Sequence, residues 1–88
     1  MNKTIMLIMV GSRRETAVAV QGLLTEYGCS IKTRLGLHTA SENLCSEDGL
    51  IVLELVGAEK GHQDLFDKLS KLKCLNVKME KMSVNNCN

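Results

Sequence analysis

The apolar positions of this chain fall into two spacings, one of two residues and one of three or four, and the spacings alternate in a fixed order. From Thr4 to Val10 both alternating sets are apolar: Ile5, Leu7 and Met9 on one side, Met6, Ile8 and Val10 on the other. A strand of that kind belongs in the middle of a sheet, covered on both faces. Gly11 breaks it. Ser12-x-x-Glu15 has the form of a capping box, in which serine oxygen and glutamate carboxylate each satisfy a free helix amide. The helix it opens runs to about Tyr27 on the face Ala17, Val20, Leu24 and Tyr27, with Gly28 as its C-terminal cap.

From Ser30 to Leu37 the chain alternates cleanly, with Ile31, Thr33, Leu35 and Leu37 on one side and Ser30, Lys32, Arg34 and Gly36 on the other. This predicts a half-exposed strand at or near a sheet edge. A polar loop, Thr39 to Asp48, leads to Leu50–Val56, apolar on both sides except at Glu54 and ended by Gly57. Arg34, on the adjoining strand, is the expected partner of that carboxylate, since a charge among apolar neighbours needs one. A second helix begins at Gly61 or His62 and buries Leu65, Phe66, Leu69 and Leu72. A last strand, about Cys74 to Met82, turns Leu75, Val77 and Met79 inward.

The order is strand, helix, strand, strand, helix, strand, with strands one and three doubly apolar and strands two and four half polar. Split βαβ topology puts one and three in the centre. Order and burial pattern agree on an α+β, ferredoxin-like βαββαβ sandwich, a four-stranded antiparallel sheet with two helices on one face. The single domain spans residues 1–82, and 83–88 form a polar tail that frays. With both helices on one face, the other keeps an apolar set from each central strand. Such a patch marks an interface, so a homo-oligomer is expected, by pairing of sheet faces or by edge-to-edge extension.

Composition narrows the function classes. Eighty-eight residues with 44% hydrophobic content suit one small folded domain. A formal charge of +1, with one Tyr and one Phe as the aromatics, argues against direct nucleic-acid binding. No segment is long enough to span a bilayer, and Ile5–Val10 is too short for a signal-peptide core, so a cytoplasmic protein without membrane attachment is expected. Of the four cysteines, Cys29, Cys45, Cys74 and Cys87, none forms a Cys-x-x-Cys pair. In a reducing cytoplasm they are thiols; Cys29 and Cys74, at the starts of apolar runs, are expected as small core fillers.

Several places could carry chemistry. His38 and Cys45 flank the central loop as two soft ligands suited to zinc, nickel, copper or iron, which Glu42, Glu47, Asp48 or a second subunit would have to complete. A surface histidine and a packed loop cysteine are the plainer alternative. Gly11, Ser12, Arg13 and Arg14 join a central strand to a helix N-terminus, where free amides and two guanidinium groups favour an anion; a capped helix with solvated arginines explains the same residues. Gly36, in Arg34-Leu-Gly-Leu-His38, signals a bulge or a close approach by a ligand or subunit, or a simple strand irregularity. No catalytic signature is present, and a non-enzymatic domain is expected.

Arg13-Arg-Glu-Thr-Ala17, Val20–Gly28, Ile31-Lys-Thr-Arg-Leu-Gly-Leu-His38 and Cys45-Ser-Glu-Asp-Gly-Leu-Ile51 resemble the regulators of the iron-only ([FeFe]) hydrogenase system, which are stand-alone ACT-like domains. The resemblance implies an oligomer, a regulatory role with a small-molecule or metal ligand at a subunit interface, and a hydrogenase or maturation protein as partner; an assembly factor for maturation without a small ligand is the alternative. It leaves any cofactor unspecified. ACT domains commonly bind amino acids at the first strand–helix turn, often with an aspartate, which Gly11-Ser-Arg-Arg14 lacks. The regulatory domain of the nickel-responsive repressor is similar in fold. His38 and Cys45 match its second histidine and its cysteine, and Gly36 stands where its first histidine would be.

Overall fold

A computed structural model describes residues 1–11, 14–38 and 49–85. The elements are β1 (Asn2–Val10), α1 (Arg14–Glu26), β2 (Ile31–His38), β3 (Gly49–Leu55), α2 (Glu59–Ser70) and β4 (Leu75–Ser83), with a short 3₁₀ turn at Gly28–Ser30. The strands form one antiparallel sheet in the order β2-β3-β1-β4. The doubly apolar strands are therefore the central pair, as their pattern requires.

Register sorts the side chains. On one face Met6 stands between Leu53 and Met79, and Ile8 between Ile51 and Val77. With Val10 and Leu55 these meet Val20 and Leu24 of α1 and Leu65 and Leu69 of α2 in a single core. Each such side chain, fully buried, contributes about 1.5–3 kcal/mol. Polar ties close the core's end: Thr16, buried at the start of α1, donates its hydroxyl to the Lys73 carbonyl at 2.7 Å, and the Gly11 amide donates to the Cys74 carbonyl at 2.9 Å. A Cβ on Gly11 would sit 3.1 Å from that carbonyl oxygen, tighter than an ordinary contact, so a larger residue would push the two segments apart by a few tenths of an ångström.

Several boundaries move from the sequence reading. The second helix starts at Glu59, two residues before Gly61, because its first turn is polar and invisible to apolar spacing. Its N-cap is Ala58, which supplies no side-chain cap among the described residues. Leu72 lies beyond its end, half-buried in the turn. Gly28 opens the 3₁₀ turn rather than capping the first helix; the positive-φ glycine is Gly57, at φ 84°, after β3. β4 runs to Ser83 opposite Asn2, and the Val84 amide donates to the Met1 carbonyl at 3.1 Å. Cys29 and Cys74 are not core fillers. Both are exposed in turns, Cys74 with φ 58°, and the inward phase of Leu75, Val77 and Met79 already sends Cys74 outward.

The largest difference concerns β2. A register shift between Ile31 and Thr33 splits its apolar set. Ile31, opposite Leu55, joins the core, whereas Thr33, Leu35 and Leu37, opposite Glu54, Val52 and Leu50, lie on the helix-free face. Arg34 consequently faces the helices opposite Leu53, and Glu54 turns away from it. The Glu54 carboxylate instead meets Lys3 at 2.8 Å and Lys32 at 4.0 Å, and hydrogen bonding to Lys3 holds its pKa below the ordinary carboxylate value.

Candidate functional site

Two glycines shape the gap between α1 and the β2–β3 pair. Gly36 lies opposite Ile51, and Gly49 lies between Val10 and His38 in register, so two helix-facing positions of neighbouring strands carry no side chain. α1 presents Ala17, Val20 and Gln21 above them. The result is a cleft of about 70 Å³, completed by Ile51 and by Leu37 and Leu50 beside the glycines. A Cβ built on Gly36 would meet nothing within 4 Å. The irregularity of β2 thus lies at Ile31–Thr33 rather than at Gly36, and among the described residues Gly36 opens space.

Chemically the cleft is an apolar socket with a polar lip. The Arg34 guanidinium donates to the Gln21 side-chain carbonyl. That bond holds a cation beside the socket with further N–H donors left over, since a guanidinium carries five. Such an arrangement can seat a compact apolar group and bind an attached carboxylate or phosphate. The volume suits a short aliphatic group and is far below the 300–1,000 Å³ or so of sites that enclose whole drug-sized ligands.

The expected site residues separate. Gly36 lines the cleft, and Arg34 is tied to its lining residue Gln21. Gly11 is tied to the turn before β4 by its bond to Cys74, and Arg14 begins α1 with its side chain exposed. Ser12, Arg13 and Cys45, with the loop carboxylates Glu42, Glu47 and Asp48 and the tail's Cys87, lie outside the described residues. His38 is the last residue of β2, paired with the cleft residue Gly49. Among the described residues, no three His, Cys, Asp or Glu side chains gather closely enough to hold a metal.

Sequence reasoning passed over Gln21 and His62. Gln21 looks like one polar helix residue among several; only the register of β2 gives it a partner. His62 is 4% exposed and lines a second hollow of about 310 Å³ with Thr4, Glu59, Lys60, Gln63, Met79 and Lys81. Its Nε2 stands 2.7 Å from the Val56 carbonyl, which can only accept, so Nε2 carries the proton, and Nδ1 has no partner among the described residues. The clue was present: His62 precedes Leu65 and Leu69 at the spacing of one buried helical face. The Glu59–Lys81 pair at this hollow is exposed, and hydrogen bonding to Lys81 lowers the Glu59 pKa.

No protein-family model matches the chain, and neither does any curated protein sequence. Solved structures do. An uncharacterized protein of Thermotoga maritima superposes with a TM-score of 0.80 at 21% identity, over 94% of this chain and all of the other. A protein described as PII-like and signaling, from Thermus thermophilus, gives 0.58 at 14%, over 92% and 86%. The ACT domain of GTP pyrophosphokinase from Chlorobium tepidum gives 0.55 at 15%, over 92% and 96%. At these identities the likeness is one of fold, and it places the chain's architecture among the ferredoxin-like folds of ACT and PII-like domains.

Proposed function

We propose that this chain is a non-enzymatic regulatory domain that senses a small molecule at the cleft between α1 and the β2–β3 pair. The observation that carries the reading is the glycine-opened socket with the Arg34–Gln21 pair at its lip. The fold neighbours support it in kind, being a signaling PII-like protein and the ACT domain of a larger enzyme. The ligand class that fits is a short branched aliphatic group bearing a carboxylate or phosphate. Binding regulates only if it favours one state of the protein over another, and β2 is the element placed to respond, because Gly36 lines the cleft while its neighbour Leu35 lies on the opposite face.

The likeness of Arg34–His38 and its flanks to iron-only hydrogenase regulators extends the proposal to a hydrogenase or maturation protein as downstream partner. It also makes His38 with Cys45 the candidate pair for a soft metal ion. A cytoplasmic setting fits Ile5–Val10 lying in a central strand, and no helix among the described residues is long and apolar enough to cross a membrane.

The test is amide NMR of the wild-type chain titrated with isobutyrate, isovalerate, valine and leucine, and separately with zinc and nickel. Saturable shifts at Gly36, Gly49 and Gln21 that vanish in Gly36→Val are expected for one of the carboxylates. Shifts spread without saturation, or unchanged by Gly36→Val, would contradict the cleft as the site.

A further inference from the structure

The hollow beside His62 lies toward the β4 edge of the sheet, away from the cleft at β2 and β3. Thr4 and Lys81, register partners on β1 and β4, line it with Met79 from the sheet side. Glu59, Lys60, His62 and Gln63, all from the first turns of α2, line it from the helix side. Its volume of about 310 Å³ is at the low end of what small-molecule sites take, roughly 300–1,000 Å³.

Three features of the lining call for the same chemistry. The first is His62. Its Nε2–H is spent on the Val56 carbonyl at 2.7 Å, which leaves Nδ1 as a lone-pair acceptor. Val56 follows β3, and β1 stands between β3 and β4. The two nitrogens of an imidazole point away from each other, so Nδ1 is turned from Val56 toward the hollow. The side chain is buried, and nothing among the described residues donates to Nδ1. A buried acceptor without a donor costs stability, which a proton-donating ligand restores.

The second feature is charge. Lys60 and Lys81 line the hollow with one carboxylate, Glu59, and that carboxylate is paired with Lys81. Lys60 has no ion partner among the described residues, so the hollow carries a spare positive charge. The third is the start of α2. Ala58 supplies no side-chain cap, and the amides of Glu59 and Lys60 have no acceptor within the helix.

We propose that this hollow binds a phosphate group that brings its own proton donor, either hydrogen phosphate or a phosphate monoester with a hydroxyl beside it. The anionic oxygens meet the Lys60 ammonium and the first amides of α2, and the ligand O–H donates to His62 Nδ1. A simple carboxylate fits less well, because at neutral pH it has no proton to give to Nδ1. A metal cation would use the same lone pair, but it would sit beside two ammonium groups and compete with Lys81 for the one carboxylate. The site is separate from the cleft at α1, and the proposal does not rest on the reading of that cleft.

Amide NMR of the wild-type chain near neutral pH tests this, with inorganic phosphate, glycerol 3-phosphate and sulfate titrated at constant ionic strength. The imidazole nitrogens are followed in the same samples. Sulfate shares the shape of phosphate and has no proton at that pH, so it isolates the part played by His62. Phosphate or the ester should give saturable shifts at Glu59, Lys60 and His62 and should move the Nδ1 resonance of His62. Sulfate should bind at least ~10-fold more weakly. Tighter binding of the ester identifies a phosphorylated small molecule as the ligand, and tighter binding of the free ion identifies inorganic phosphate. Lys60→Gln, at an exposed position, should weaken phosphate binding ~10-fold with the melting temperature unchanged, and it answers the question if His62→Gln does not fold. No saturable shift with either phosphate, sulfate binding as tightly as phosphate, or Lys60→Gln binding phosphate like the wild type overturns the proposal.

Discussion

The two faces of the sheet are built from the same strands, residue by residue in alternation, and they end in opposite conditions. Met6, Ile8 and Leu53 are fully buried beneath the helices, while Leu7 and Met9, their neighbours along β1, are 38% and 60% exposed. The comparison teaches that hydrophobicity in a strand does not say where its cover comes from. One face is covered within the chain by Val20, Leu24, Leu65 and Leu69; the other carries Leu7, Met9, Leu35 and Leu37 and is left open by the helices.

The comparison breaks most sharply at adjoining elements of opposite face. Leu53→Ala should cost about 3–4 kcal/mol in urea unfolding, since it opens a cavity in a closed core. Leu35→Ala, measured on dilute protein, should cost less than ~1 kcal/mol. Comparable costs would mean that the two faces are not distinct in the monomer. Next in size is Thr16→Val, which removes the hydroxyl bonded to Lys73 and leaves a carbonyl without its partner; a loss of about 1–2 kcal/mol is expected by thermal unfolding. Gly36→Ala acts the other way. With open space around its Cβ, it should raise stability by about 0.5 kcal/mol while shrinking the cleft, so that ligand-induced NMR shifts fall as the melting temperature rises.

The smallest effect is that of Glu54→Gln on the open face. Lys3 lowers the folded-state pKa of Glu54, so its contribution is present above the unfolded value near 4.5 and is lost as pH falls through the folded value. The stability difference between wild type and variant should shrink in acid and under added salt, because the pair is exposed to solvent. A difference that grows in acid would contradict the assigned pairing.

How much of this was legible beforehand follows from the physics of each signal. Element order, the central placement of β1 and β3 and most core residues were readable because periodicity reports burial directly. The direction of β2 was not. Its alternation is perfect on paper, and one irregularity at Ile31–Thr33 sends Leu35 and Leu37 to the open face and Arg34 to the helices. A bulge depends on how a strand fits its neighbour and leaves no mark in the strand's own spacing. The same limit hid the cleft. Gly36 stood out, yet Gly49 falls between the loop ending at Asp48 and the strand beginning at Leu50, and the two glycines share a face only through a register that no local pattern encodes. Arg34 and Gly36 were singled out for their place in one segment; that they join Gln21 is a tertiary fact.

The most direct measurement of the central contrast uses two side chains that are equally open in the isolated chain. Met9 is 60% exposed on the sheet face and Val18 is 65% exposed on α1. In methyl NMR of the concentrated wild-type protein with a soluble paramagnetic agent, the pairing of sheet faces expected from the apolar patch should protect the Met9 methyl and leave the Val18 methyls strongly relaxed. The two should converge on dilution and in Leu35→Lys/Leu37→Lys. Equal relaxation of both at every concentration would contradict the account, because the open face would then have no cover.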